Sequence, residues 1–131
     1  MLSPHHFGRL DLAVTSPKLK VHPSEAVRIW KDELGVSERD LRGALDTDQR
    51  TLSRWMTGDT IPQRDARLRL ATLMQLYERL AETFDETAVI REWLDTPSRY
   101  LGRMKPVDAI RAGCFTQAEA ALEAFRSGGF L

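Results

Sequence analysis

Residues 37–58 read SERDLRGAL, DTD, QRTLSRWMTG, and these three pieces decide the fold class. Ser37 with Asp40 has the spacing of a helix start. Leu41, Ala44 and Leu45 then share one face of a short helix over Glu38–Leu45. Asp46-Thr47-Asp48 is a tight turn, and a second helix over residues 49–56 ends at Gly58. Leu52 and Trp55, at i and i+3, are its apolar pair. Leu41, Leu45, Leu52 and Trp55 can bury together and fix the angle between the helices. Gln49, Arg50, Ser53, Arg54 and Thr57 are left on the outside. These are side-chain types that meet base edges and phosphates: Arg suits guanine, Gln adenine, and Ser or Thr either a base or a phosphate. Asp48 can cap the second helix, whose N-terminus also favours a phosphate. Two short helices on a tight turn are what placing a helix in the major groove requires. The expected class is therefore all-α, with an N-terminal helix-turn-helix. The competing reading is a degenerate helix-turn-helix kept only as a structural unit.

Upstream, Ser24 can cap a helix to Leu34, stopped by Gly35, with Ala26, Val27, Trp30 and Leu34 inward. Residues 1–23 hold Pro4, Pro17 and Pro23 without helical period and read as a flexible arm, with a weak strand signal over residues 10–14. Downstream, Pro62 marks the start of a long helix to Phe84. Ala66, Leu70, Leu73, Tyr77, Leu80 and Phe84 alternate in steps of four and three, and Leu68, Met74, Leu76 and Ala81 widen that stripe. So wide a face implies packing on several neighbours, with self-association as the alternative. Further helices are expected over Thr87–Leu94, from a Thr96-Pro97 cap to Gly102, from Pro106 to Gly113, and from a Thr116/Glu119 capping box to Arg126. The division is an arm (1–23), a helix-turn-helix region (24–65) and a C-terminal helical region (66–131).

Composition narrows the function classes. The chain has 131 residues with 19 basic and 19 acidic side chains, a net charge of zero. Nucleic-acid binding must then rest on a local patch. Between Gln49 and Arg69 there are five arginines (Arg50, Arg54, Arg64, Arg67, Arg69) against Asp59 and Asp65. The single cysteine, Cys114, has no cysteine partner for a disulfide or a metal site. With no signal peptide or spanning segment expected, a reducing cytoplasm is the default compartment. His5, His6 and His22 lie in the arm without carboxylates at ligand spacing. No nucleophile elbow, phosphate loop or dinucleotide fingerprint occurs. Asp32-Glu33 and Asp85-Glu86 are adjacent, so on a helix they point about 100° apart and make poor acid–base pairs. No catalytic residue, metal or cofactor is expected.

The segment REWLDTPSRYLGRMKPVDAIRAG, residues 91–113, resembles the toxin-binding domain of the MbcA/ParS/Xre antitoxins. The matching elements are Trp93-Leu94, Thr96-Pro97, Leu101-Gly102, Lys105-Pro106, Asp108 and Gly113, and TLSRWMTGDTIPQRDARLRLATL fits that family's amino-terminal half. The likeness covers about residues 25–131. It departs where many relatives carry a second glycine after Leu-Gly and this chain has Arg103, at Cys114-Phe115, and in the arm. The resemblance implies an antitoxin that binds a RES-domain, NAD-consuming toxin, blocks its active site and represses its own operon. It also implies that residues 66–131 form the toxin-binding domain.

On that reading Arg103, Lys105 and Arg111 lie near the partner surface, whereas Trp93 and Leu101 are core. The closing Gly128-Gly129-Phe130-Leu131 offers a flexible tether with two apolar anchors for a toxin pocket. The alternative is that Phe130 folds back on Ala121 or Phe125. The expected partners are a RES-domain toxin and operator DNA, bound as a homodimer if the operator is palindromic. The competing function is a standalone transcriptional regulator whose C-terminal half only dimerises.

Overall fold

The computed structural model describes residues 18–128, and every regular element among them is helical. In chain order these are α1 (Pro23–Arg28), continued by a π-helical turn (Ile29–Glu33), α2 (Glu38–Leu45), α3 (Gln49–Thr57), α4 (Arg64–Thr83), α5 (Thr87–Leu94), a 3-10 turn (Arg99–Leu101), α6 (Pro106–Arg111) and α7 (Phe115–Arg126). The strand signal over residues 10–14 lies outside the described residues.

One apolar core runs through both halves of the chain. It joins Val27 and Trp30 of the first helix to Leu41 and Leu45 of α2, Leu52 and Trp55 of α3, and Leu70, Leu73, Leu76 and Leu80 of α4. Ile90 and Leu94 of α5, Ile110 of α6 and Leu122 of α7 belong to the same cluster. α4 is the spine, packed against α1, α2, α5 and α7. Its stripe is used as core: Leu70, Leu73, Leu76 and Leu80 are fully buried, whereas Leu68 is 40% exposed. Trp93 is half-buried and packs against the core, whereas Leu101 is half-buried outside that cluster and is not the core residue expected.

The tightest join between the halves is α2 on α6. Gly43 makes it possible: a Cβ there would stand 2.6 Å from the carbonyl oxygen of Arg111. Beside it, Arg111 donates to Asp40 at 3.0 Å and is paired with Asp108 at 3.1 Å. The Asp40 bond, foremost, raises the Arg111 pKa above its usual value, against the desolvation that lowers it.

Several helix ends differ from the sequence expectation. The first helix is capped by His22, whose Nδ1 accepts from the Ser24 N–H at 3.2 Å, with Pro23 at its first position. A proline there needs no N–H partner, so the cap moves ahead of Ser24. The same helix widens into the π turn, where Leu34 N–H reaches Ile29 O at 3.0 Å. Its last carbonyls are taken by Arg91, which donates to Glu33 O at 2.7 Å and Asp32 O at 2.9 Å. Thr96 does not open a helix, because its hydroxyl turns back to Glu92 O at 2.6 Å and closes α5. Ser98 caps the following 3-10 turn instead. α7 begins at Phe115 with no side-chain cap, and Glu119 faces Arg79 at 3.9 Å rather than forming a capping box.

Candidate functional site

α2 and α3 form the helical pair expected from residues 37–58. Ser37 Oγ accepts from Asp40 N–H at 3.1 Å, so α2 starts where the sequence placed it. α2 stops at Asp46, which takes the left-handed conformation at φ 51°, and two residues later Asp48 restarts the chain as a helix. The Asp48 carboxylate accepts from Thr51 N–H at 2.7 Å. That bond, chiefly, holds the Asp48 carboxyl below its ordinary range. Gly58, at φ 80°, ends α3 in the left-handed region that glycine enters without strain.

This frame sorts the side chains of α3 cleanly. Leu52 and Trp55 are buried, and Gln49, Arg50, Ser53, Arg54 and Thr57 are all exposed. The outer face therefore carries donors and acceptors on a helix whose inner face is locked. Arg54 lies 3.9 Å from Asp59, which partly screens it. Not every arginine of the basic stretch points outward. Arg69 is half-buried and donates to Ala44 O at 3.1 Å, tying α4 to the end of α2. The basic surface is accordingly smaller than the sequence count.

A second surface is built in the C-terminal half. Residues 98–104 close on themselves: Ser98 N–H donates to Met104 O at 3.0 Å and Arg103 N–H to Ser98 O at 2.8 Å. The closure needs two successive left-handed residues, Gly102 at φ 62° and Arg103 at φ 74°. A side chain in that region costs about 1–2 kcal/mol, and such strain clusters at binding sites. Arg103 is exposed at the tip of this loop. Lys105, just beyond it, is paired with Asp95 at 3.0 Å. Arg111 is not brought to the same place, because its guanidinium is committed to Asp40 and Asp108 between α2 and α6. Gly128 is half-buried at φ 102°, and Gly129, Phe130 and Leu131 lie outside the described residues.

Two apolar features escaped the sequence reading. Phe84 stands between Trp93 and Phe125, with ring centroids 6.3 Å and 5.4 Å away, and Phe125 is 45% exposed. The three residues come from the C-terminal cap of α4, from α5 and from α7, so no local period joins them. An open groove of about 660 Å3 also runs between the α2–α3 turn and the start of α4, lined by Leu45, Trp55, Ile61, Ala66 and Leu68 among others. Ile61 is 63% exposed on its rim. Among the described residues no group of three His, Cys, Asp or Glu side chains is placed to hold a metal ion, and no helix is long and apolar enough to cross a membrane.

No family model matches the chain. Individual relatives do. The mycobacterial cidal antitoxin MbcA of Mycobacterium tuberculosis and that of Mycobacterium bovis are each 30% identical over 102 residues, covering 76% of this chain and 88% of theirs. A probable mycobacterial cidal antitoxin of Mycobacterium tuberculosis is 30% identical over 120 residues, 92% of this chain and 100% of its own length. The chain belongs to the mycobacterial cidal antitoxin family. A match of that length spans both α3 and the 98–104 loop, so neither half carries the family likeness alone. The fold agrees. A chain in the crystal structure of the M. tuberculosis MbcT–MbcA toxin–antitoxin complex superposes with a TM-score of 0.62 at 28% identity, over 82% of this chain and 96% of that one. That chain therefore shares the fold of this one over most of its length.

Proposed function

We propose that this chain is the antitoxin of a toxin–antitoxin pair, that it neutralises a RES-domain, NAD-consuming toxin by covering the toxin's active site, and that it represses its own operon through α3. Membership of the mycobacterial cidal antitoxin family is the observation that supports the first part most directly. A relative's complex with its toxin supports the choice of partner class.

The toxin surface is assigned to the C-terminal half, residues 66–131. Its elements are Arg103 on the strained loop, Lys105 beside it, the exposed edge of the Phe84–Trp93–Phe125 cluster, and the Gly128-Gly129-Phe130-Leu131 tail. Aromatic and arginine side chains are the usual anchors of such interfaces. Arg111 serves that surface from behind, by holding α6 against α2. DNA reading is assigned to Gln49, Arg50, Ser53, Arg54 and Thr57, which are exposed together on a helix of the right kind. A palindromic operator would be met by a homodimer of the chain.

The test is an NAD-depletion assay on the product of the adjacent gene. NAD loss that stops on addition of this chain is the expected result, and deletion of Phe130 and Leu131 should weaken the block. A neighbour without NAD-consuming activity, or one indifferent to this chain, removes the RES assignment and favours a standalone regulator.

Arg103 gives a second check. Arg103→Gly relieves the left-handed strain and should stabilise the fold by about 0.5–1 kcal/mol once glycine's extra chain entropy is counted. It should at the same time weaken toxin binding. Thermal unfolding and a binding titration read the two effects. A variant that is stabilised and inhibits as well as the parent would show that Arg103 makes no toxin contact.

A further inference from the structure

We infer that the open groove between the α2–α3 turn and the start of α4 is the contact between two copies of this chain, with Ile61 of each copy seated in the groove of the other. The inference rests on the reading of the chain as a homodimer and gives that dimer a surface.

One patch carries both a knob and a hole. The floor of the groove is apolar: Leu45 and Trp55 are buried beneath it, and Leu68 is 40% exposed within it. Ile61, on the rim, is 63% exposed, the most exposed large apolar side chain among the described residues. It is held out by anchored backbone. Gly58 ends α3 three residues before it, and Pro62, next in the chain, is fully buried and fixes its own φ. The groove, about 660 Å3, has room for such a side chain and its neighbours. Exposed Thr60 and Gln63 border it with polar groups. An apolar centre inside a polar rim is the anatomy of a protein–protein contact.

Charge selects the occupant. Asp46 and Asp65 line the groove, both exposed. Among the described residues neither has an ion-pair partner. Carboxylates at that position repel a phosphate backbone, so DNA does not fit there. Cations of the same region are equally unpaired. Arg64 and Arg67 are exposed in the first turn of α4, and neither meets a carboxylate among the described residues. The patch thus carries charges of both signs that its own chain does not pair. A partner surface of one sign would satisfy half of them and repel the rest. A two-fold axis satisfies both, because it brings the bases of one copy to the acids of the other. The lining runs from Leu45 to Arg69 and shares no residue with the 98–104 loop or the Phe84–Trp93–Phe125 cluster, so a second copy leaves those elements open to the toxin.

The test is sedimentation velocity of the full chain over a concentration series, with circular dichroism as the control for folding. The parent should sediment as a dimer that dissociates on dilution. Ile61→Asp should raise the dissociation constant roughly a thousandfold, because the two-fold axis puts the substitution in the contact twice and each buried anchor is worth about thirtyfold or more. Ile61 is exposed within one copy, so the variant should keep its helical spectrum. Charge reversal tests the self-complementarity. Asp65→Lys makes the patch basic and Arg64→Glu makes it acidic. Each variant alone should dimerise more weakly than the parent, and an equimolar mixture of the two should recover the dimer. A parent dimer that Ile61→Asp leaves unchanged overturns the groove contact, while the homodimer reading stands on another surface. Charge variants that weaken singly and do not recover when mixed overturn it as well. If Ile61→Asp dimerises like the parent and no longer inhibits the toxin, the groove belongs to the toxin surface and the inference is refuted. A parent that is monomeric at every concentration removes the homodimer reading itself, and the contact with it.

Discussion

Trp30→Ala should lower the unfolding free energy by about 3–5 kcal/mol, the range for truncating a large buried aromatic. Trp30 is fully buried in the π turn at the end of the first helix, and it belongs to the core cluster that joins both halves. For a fold of ordinary stability, about 5–15 kcal/mol in total, such a loss approaches the threshold of folding. The damage should spread, because α1 packs on both α3 and α4. Trp30→Phe separates packing from polarity. The indole N–H of Trp30 has no protein hydrogen-bond partner, and a buried donor in that state costs about 1–3 kcal/mol. Phenylalanine removes the donor and keeps most of the ring, so its net cost should be under about 1.5 kcal/mol. Urea titrations of the three proteins give the comparison. A Trp30→Ala loss below about 1 kcal/mol would mean that the ring is not packed as the core requires.

The parts of this fold that were legible in the sequence are those fixed by local chemistry. Ser37, Asp48 and Gly58 each act within three or four residues of the helix end they define, so α2 and α3 could be placed before any contact was known. Their apolar pairs, Leu41 with Leu45 and Leu52 with Trp55, told inside from outside by helical period alone. The five exposed residues of α3 follow from that division. What was not legible depends on partners distant in the chain. The π turn of residues 29–33 is held by Arg91, 58 residues away from Glu33. Arg111 looked like a surface cation because its partner Asp40 is 71 residues upstream. Arg69 was counted in the basic patch, although the fold uses it on a carbonyl of α2. Thr96 and Thr116 show the limit of cap signals: a hydroxyl near a helix start serves equally to close the helix before it, or lies inside the next one. The Phe84–Trp93–Phe125 cluster joins the residue that caps α4 to two later helices and has no sequence period. Arg103 was visible as a departure from its relatives' second glycine, but its meaning came only with the positive φ at that position.

The largest functional effect is expected from Arg50→Ala combined with Arg54→Ala. Both guanidinium groups are on the exposed face of α3, on either side of Ser53, while Leu52 and Trp55 keep the helix seated. Each bidentate pairing with a guanine is worth about 1–3 kcal/mol, so operator affinity should fall between about thirtyfold and ten-thousandfold. Arg54 should contribute the smaller share, because Asp59 is 3.9 Å away and competes for it. Toxin inhibition should stay within about twofold, since neither change alters the core or the 98–104 loop and surface substitutions of this kind cost less than about 0.5 kcal/mol in stability. Anisotropy on the upstream duplex, NAD depletion and circular dichroism give the three readouts. Unchanged operator affinity would show that α3 is a structural helix only, and the repressor role would have to be abandoned. Loss of inhibition with the helical spectrum intact would place the toxin on α3 as well. In that case toxin and operator would compete for one face, and the chain could not hold both at once.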